Sequence, residues 1–174
     1  MITKKILLGC LVFALLISCN SSSSKENFEL GTLQIVDHGP AIPSSWETHI
    51  IVDSTGKISS TQYSVQDGVI TVPTYTWEYQ MSPADKSLVE QECTAADILY
   101  RGDVTRPDDI VPCTGAGNLS FHAISKSGLE NLFAVSGDVR CVPFDHIPAA
   151  INTLYLTITG WGTLAGGPQF MLNE

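Results

Sequence analysis

The chain has 174 residues, 44% of them hydrophobic, and its 18 Asp and Glu against 9 Lys and Arg give a formal net charge of −9. That length suits one domain with a real core better than two. The acidic balance argues against a nucleic-acid role, which needs a basic patch to displace counterions from phosphates, and disfavours adsorption to anionic headgroups.

The chain opens Met1-Ile2-Thr3-Lys4-Lys5 and then runs without a charge from Ile6 to Ile17. A basic start followed by a short apolar run has the form of a signal peptide. It is too short for a spanning helix, which needs about 20 apolar residues. The run ends in Leu16-Ile17-Ser18-Cys19, which resembles the lipobox of bacterial lipoproteins: an aliphatic, a variable and a small residue ahead of cysteine. That resemblance implies that the Cys19 thiol takes a diacylglyceryl group, that the peptide is cut before it, and that the new amino group is acylated, typically with palmitate. Two or more chains hold a protein stably to a bilayer, whereas one does so only marginally. Asn20 stands where aspartate would mark inner-membrane retention, so the same resemblance implies a lipid-anchored protein of the bacterial cell envelope, at the outer membrane. Loss of residues 1–18 removes Lys4 and Lys5 and takes the net charge from −9 to −11.

Residues 19–30 then comprise the lipidated cysteine and a serine-rich tether, NSSSSKENFE, whose ten residues reach about 15 to 20 Å. Residues 31–174 read as one α+β domain dominated by antiparallel β-hairpins. Thr32 to Val36 is β-rich and His38-Gly39-Pro40 ends it. Thr48 to Asp53 and Ile58 to Val65 form a hairpin about Ser54-Thr55-Gly56. Asp67-Gly68 supplies the positive φ angles of a second tight turn. Val69 to Val72 and Tyr75 to Tyr79 follow as strands, the latter with alternating aromatics.

At Ser82 the pattern becomes helical. Ser82 is placed to cap, Pro83 suits the first turn, and Asp85 completes a capping box. Val89, Cys93, Ala96 and Tyr100 share one face at helical spacing. Residues 101 to 117 read as a loop. Asn118 to Ile124 and Asn131 to Val139 pair about Lys126-Ser127-Gly128-Leu129-Glu130. Ile147 to Ile158 fits both a helical stripe and a strand alternation, and Ile147-Pro148-Ala149-Ala150 favours the helix. Gly160 to Phe170 carries too much glycine to be regular. From residue 75 to 158 the order of hairpins, capped helix, hairpin and terminal helix is similar to that of small protease-inhibitor proteins typified by emfourin. The likeness is one of pattern, and no residue here maps to an inhibitory one.

With Cys10 removed and Cys19 lipidated, Cys93, Cys113 and Cys141 remain in an oxidising compartment, where three thiols allow one bridge. Antiparallel pairing about residues 127 to 128 makes facing residues sum to about 255. Cys113 and Cys141 sum to 254, which predicts a bridge between them and leaves Cys93 as a buried thiol on its helix.

No site chemistry is spelled out. His38, His49, His122 and His146 never lie at metal-ligand spacing, and the strand placement of His49 and His122 brings them together only through the tertiary fold. Asp97, Asp103, Asp108 and Asp109 crowd one region without the pattern of a calcium loop. Arg101-Gly102-Asp103 is an adhesion tripeptide, too short to carry weight. Gly115-Ala116-Gly117 lacks the strand-to-helix setting of a phosphate cradle. There is no Gly-x-Ser-x-Gly, and Trp46, Trp77 and Trp161 suit a core. The expectation is a non-enzymatic envelope lipoprotein without metal or cofactor, touching the membrane through its lipid and acting on a protein partner or as a structural element. Protease inhibition is the alternative, with hydrolysis third.

Overall fold

A computed structural model of the chain describes residues 25–39, 44–105, 117–136 and 147–164. Cys19, Cys113, Cys141, His146, Asp108 and Asp109 lie outside the described residues. The elements are β1 (Leu30–His38), β2 (Ser44–Asp53), β3 (Lys57–Gln66), β4 (Val69–Gln80), α1 (Pro83–Ala95), β5 (Asn118–Ser125), β6 (Glu130–Ser136) and α2 (Ala149–Leu164). The strands form one antiparallel sheet in the order β4-β3-β2-β1-β5-β6. Three strands, β2, β3 and β4, meander outward from β1, and the chain then returns past α1 to add β5 on the opposite side of β1.

Period-two alternation splits the sheet into an inner and an outer face. Leu33, Ile35 and Asp37 of β1, Ile50 and Val52 of β2, Ile58 of β3, Phe121 of β5 and Phe133 of β6 face inward and are buried. Both helices close this inner face: Val89, Cys93 and Ala96 from α1 and its end, and Ile151, Leu154, Tyr155 and Ile158 from α2, belong to the same core. The outer face of the sheet carries no helix among the described residues.

The capping box forms as the sequence predicts, with Ser82 accepting from the Asp85 N–H and the Asp85 carboxylate accepting from the Ser82 N–H. The helix stops because Asp97 adopts φ 57°, a left-handed conformation that lets the Ile98 N–H reach the Cys93 carbonyl. Tyr100 therefore leaves the helical stripe and is exposed. Residues 25–29, inside the stretch read as tether, run along α1: Phe28 is buried, its N–H donates to Thr94 Oγ1, and the Leu30 N–H donates to Glu90 Oε1.

Two segments differ from expectation. Val69 to Gln80 is one strand across Pro73, not two. Pro73 is tolerated because β4 is an edge strand, and the register shifts around Tyr63, where Thr71 and Thr74 hydroxyls donate to the Ser64 and Gln62 carbonyls. The glycine-rich tail begins as helix, since α2 continues through Gly160 and Gly162 to Leu164. Gly162 is there for contact: a Cβ on it would lie 2.6 Å from Trp77 Cζ2, so the helix reaches the sheet by lacking a side chain. On the far edge, the predicted 101–117 loop sends Val104 to bridge Val135 in parallel, with bonds from Val104 N to Ala134 O and from Ser136 N to Val104 O. The β5–β6 partners sum to 254, as Asn118 and Ser136 do.

One polar contact joins the layers through the core. The Tyr155 hydroxyl of α2 donates to the Asp37 carboxylate of β1, both groups being buried. Burying a carboxylate is tolerable only when it is hydrogen-bonded, so this contact fixes where α2 sits on the central strand.

Candidate binding face

The register of the three central strands assembles a polar cluster on the outer face. His38 lies opposite Glu47 across β1–β2, and Val36 lies opposite both His49 and Ser120. Glu47 thus sits between two imidazoles: its Oε2 is 2.7 Å from His38 Nδ1 and its Oε1 is 2.5 Å from His49 Nε2. The other ring nitrogen of His38, Nε2, is 3.3 Å from Ser120 Oγ. His49 also meets Tyr63 of β3 edge-on, with ring centroids 5.2 Å apart. Partial burial pushes the Glu47 carboxyl up, but hydrogen bonds from His49 and His38 and their charge outweigh it and hold the group below its ordinary range.

His122 lies apart from this cluster, opposite Gln34 on the same face, and pairs instead with Glu130 of β6 at 2.6 Å. His49 and His122 therefore do not meet, because β1 stands between their strands. Among the described residues no three His, Cys, Asp or Glu side chains converge to hold a metal.

The other singled-out residues are tied into the fold. Asp103 Oδ1 accepts from the Ala134 N–H and Arg101 Nε donates to the Ala96 carbonyl, so both charged residues of the Arg-Gly-Asp tripeptide hold structure together. Asp97 pairs with Lys25 at 2.5 Å. Trp77 is buried, and Trp161 stacks on Tyr79 at 5.8 Å. Cys93 is a free, buried thiol, its pKa pushed far up by burial and then by the charges of Glu92 and Glu90, which leaves it without thiolate reactivity. A cleft of about 420 Å³ lies between Asn27–Phe28 and the Ser87, Glu90, Gln91, Thr94 face of α1, and its one carboxylate is already used by the Leu30 N–H. Among the described residues no helix is long and apolar enough to cross a membrane.

The His38–Glu47–His49 cluster escapes any search for ligands that lie close along the chain. Its signal is in the hairpin register: once β1 and β2 pair so that partners sum to 85, as Leu33 and Val52 do, His38 must face Glu47. No protein-family model matches this chain, and no curated protein is significantly similar to it.

Proposed function

We propose that this chain is a bacterial envelope lipoprotein, anchored at the outer membrane through acylated Cys19, that works by binding a protein partner or as a structural element and not by turnover. The observation that carries the anchor is Leu16-Ile17-Ser18-Cys19 placed directly after an uncharged apolar run. A serine-rich segment then follows the lipid, and the domain beyond it carries no helix on one sheet face among the described residues.

The binding half of the reading draws on the far end of the β3–β4 hairpin. Residues 69–74 are exposed in succession, Val69 at 62% and Val72 at 66%, about the Asp67-Gly68 turn. Between Ile58 and Trp77 the only charged residue is Asp67. Contiguous exposed apolar side chains mark interaction surfaces. The same projecting hairpin, with Asp67 its single charge between Ile58 and Trp77, is what favours the second reading, a protease inhibitor presenting an extended segment to a cleft.

The test is cross-linking on intact cells followed by co-purification, comparing the natural chain with Ile70→Lys, Val72→Lys. A partner captured by the first and lost with the second supports docking through this hairpin, and a protease as that partner selects the inhibitor reading. Equal recovery with both chains removes the hairpin from the account.

A further inference from the structure

Ser120, His38 and Glu47 stand on three adjacent strands in a specific order: hydroxyl, imidazole, carboxylate. Glu47 is the best-held of the three, because both its oxygens are engaged and its side chain is only 15% exposed. An ionised carboxylate accepts hydrogen bonds and donates none. With neutral His38, the proton therefore lies on Nδ1, facing Glu47 Oε2 at 2.7 Å, and Nε2 keeps its lone pair. That lone pair faces Ser120 Oγ at 3.3 Å, so the hydroxyl is the donor. A nucleophile within reach of a base that a third group orients is the arrangement by which serine is activated. His38 is 42% exposed, open to a solution reagent.

Among the described residues, the face also lacks convergent N–H donors beside Ser120. Ser120 is an interior position of β5, paired with Val36 on one side and Ala134 on the other, so the local strand N–H groups serve the ladder and do not converge on an oxyanion. A tetrahedral intermediate there gains little stabilisation. Only an acyl donor with a good leaving group can react, and the alkyl ester that results is too unreactive to be hydrolysed quickly.

We propose that Ser120 is an acyl-acceptor serine, with His38 as its general base and Glu47 as the positioning residue, and that its ligand is an activated acyl donor such as a thioester or aryl ester. In the step, Ser120 Oγ attacks the acyl carbon while His38 Nε2 takes its proton. The bond from that carbon to sulfur or aryl oxygen breaks, and the leaving group departs with the electron pair and is protonated by His38. The products are O-acyl-Ser120 and a free thiol or phenol. This goes beyond the binding reading by making capture covalent, and it stands whether or not the β3–β4 hairpin docks a partner.

The experiment treats the detergent-solubilised full-length protein with p-nitrophenyl acetate and follows p-nitrophenolate release and the acetylated peptide. The expected result is a burst of one equivalent per chain with acetyl on Ser120, absent in Ser120→Ala and slowed about 100-fold in His38→Ala, the scale of general-base catalysis. Glu47→Gln slows it with the fold intact by circular dichroism. His122→Ala, on the same face but paired with Glu130, leaves it unchanged. A burst that survives Ser120→Ala, acetyl found only on lysines, or Ser120 no more reactive than in urea-unfolded protein overturns the proposal.

Discussion

Replacing Tyr155 with phenylalanine removes one oxygen and leaves the shape of the ring, which isolates the polar link between α2 and the centre of the sheet. Tyr155 and Asp37 are each about 2% exposed, so water cannot substitute for the lost hydroxyl. Hydrogen bonds to charged groups contribute about 1.5 to 3 kcal/mol, and the buried Asp37 carboxylate loses this one when the hydroxyl is removed. The apolar contacts of the ring, by contrast, stay in place. Tyr155→Phe should therefore destabilise the domain by about 1.5 to 3 kcal/mol, which for a domain of this size lowers Tm by about 3 to 10 °C. Urea unfolding followed by fluorescence is the assay, with a lowered midpoint at an unchanged m-value as the expected form. A loss below about 0.5 kcal/mol, the usual range of a surface change, would refute the claim that this bond sets the position of α2.

The two helical glycines of α2 should respond to alanine with opposite signs. A methyl group added at Gly160 would have nothing within 4 Å, so Gly160→Ala gains about 0.5 to 1 kcal/mol of helix propensity, whereas Gly162→Ala meets Trp77 and loses more, about 1 to 3 kcal/mol, both read by thermal melts. Glu47 has a folded pKa below its ordinary value, so its contribution to stability is present above the unfolded carboxyl pKa and is lost as pH falls through the folded one; Glu47→Gln should flatten that acid limb in melts taken from about pH 6 downward. Peptide mapping of the non-reduced protein should join Cys113 to Cys141 and leave Cys93 unlabelled by thiol reagents until the domain unfolds; a fragment containing Cys93 in a disulfide would defeat this prediction.

Much of the sheet was legible because one of its faces is buried. Alternation in β1, β2 and β5 marks the inner residues, and Asp67-Gly68 and Lys126 to Glu130 mark the turns without help from tertiary structure. The helix at Ser82 announced itself through its cap. Less legible were features set by long-range contact. Glycine at 162 reads locally as a breaker, yet its role is to admit Trp77, which lies on a strand far earlier in the chain. Pro73 reads as a strand end, yet an edge position lets β4 run through it. The His38–Glu47–His49 cluster was hidden for a different reason: each residue looks like an isolated polar position on an alternating strand, and only the register joins them. Asp37 reads as part of the end of a strand, and nothing in its neighbourhood along the chain points to Tyr155 on the last helix.

The central claim is a lipid anchor at Cys19, and metabolic labelling with an alkyne fatty acid tests it most directly. The natural chain should carry label and enter the detergent phase, and intact mass should place the acyl chains on an amino-terminal Cys19. Cys19→Ser should lose both label and detergent partitioning while the domain keeps its fold. A Cys19→Ser protein that still carries acyl chains, or a natural chain that carries none, would contradict the account.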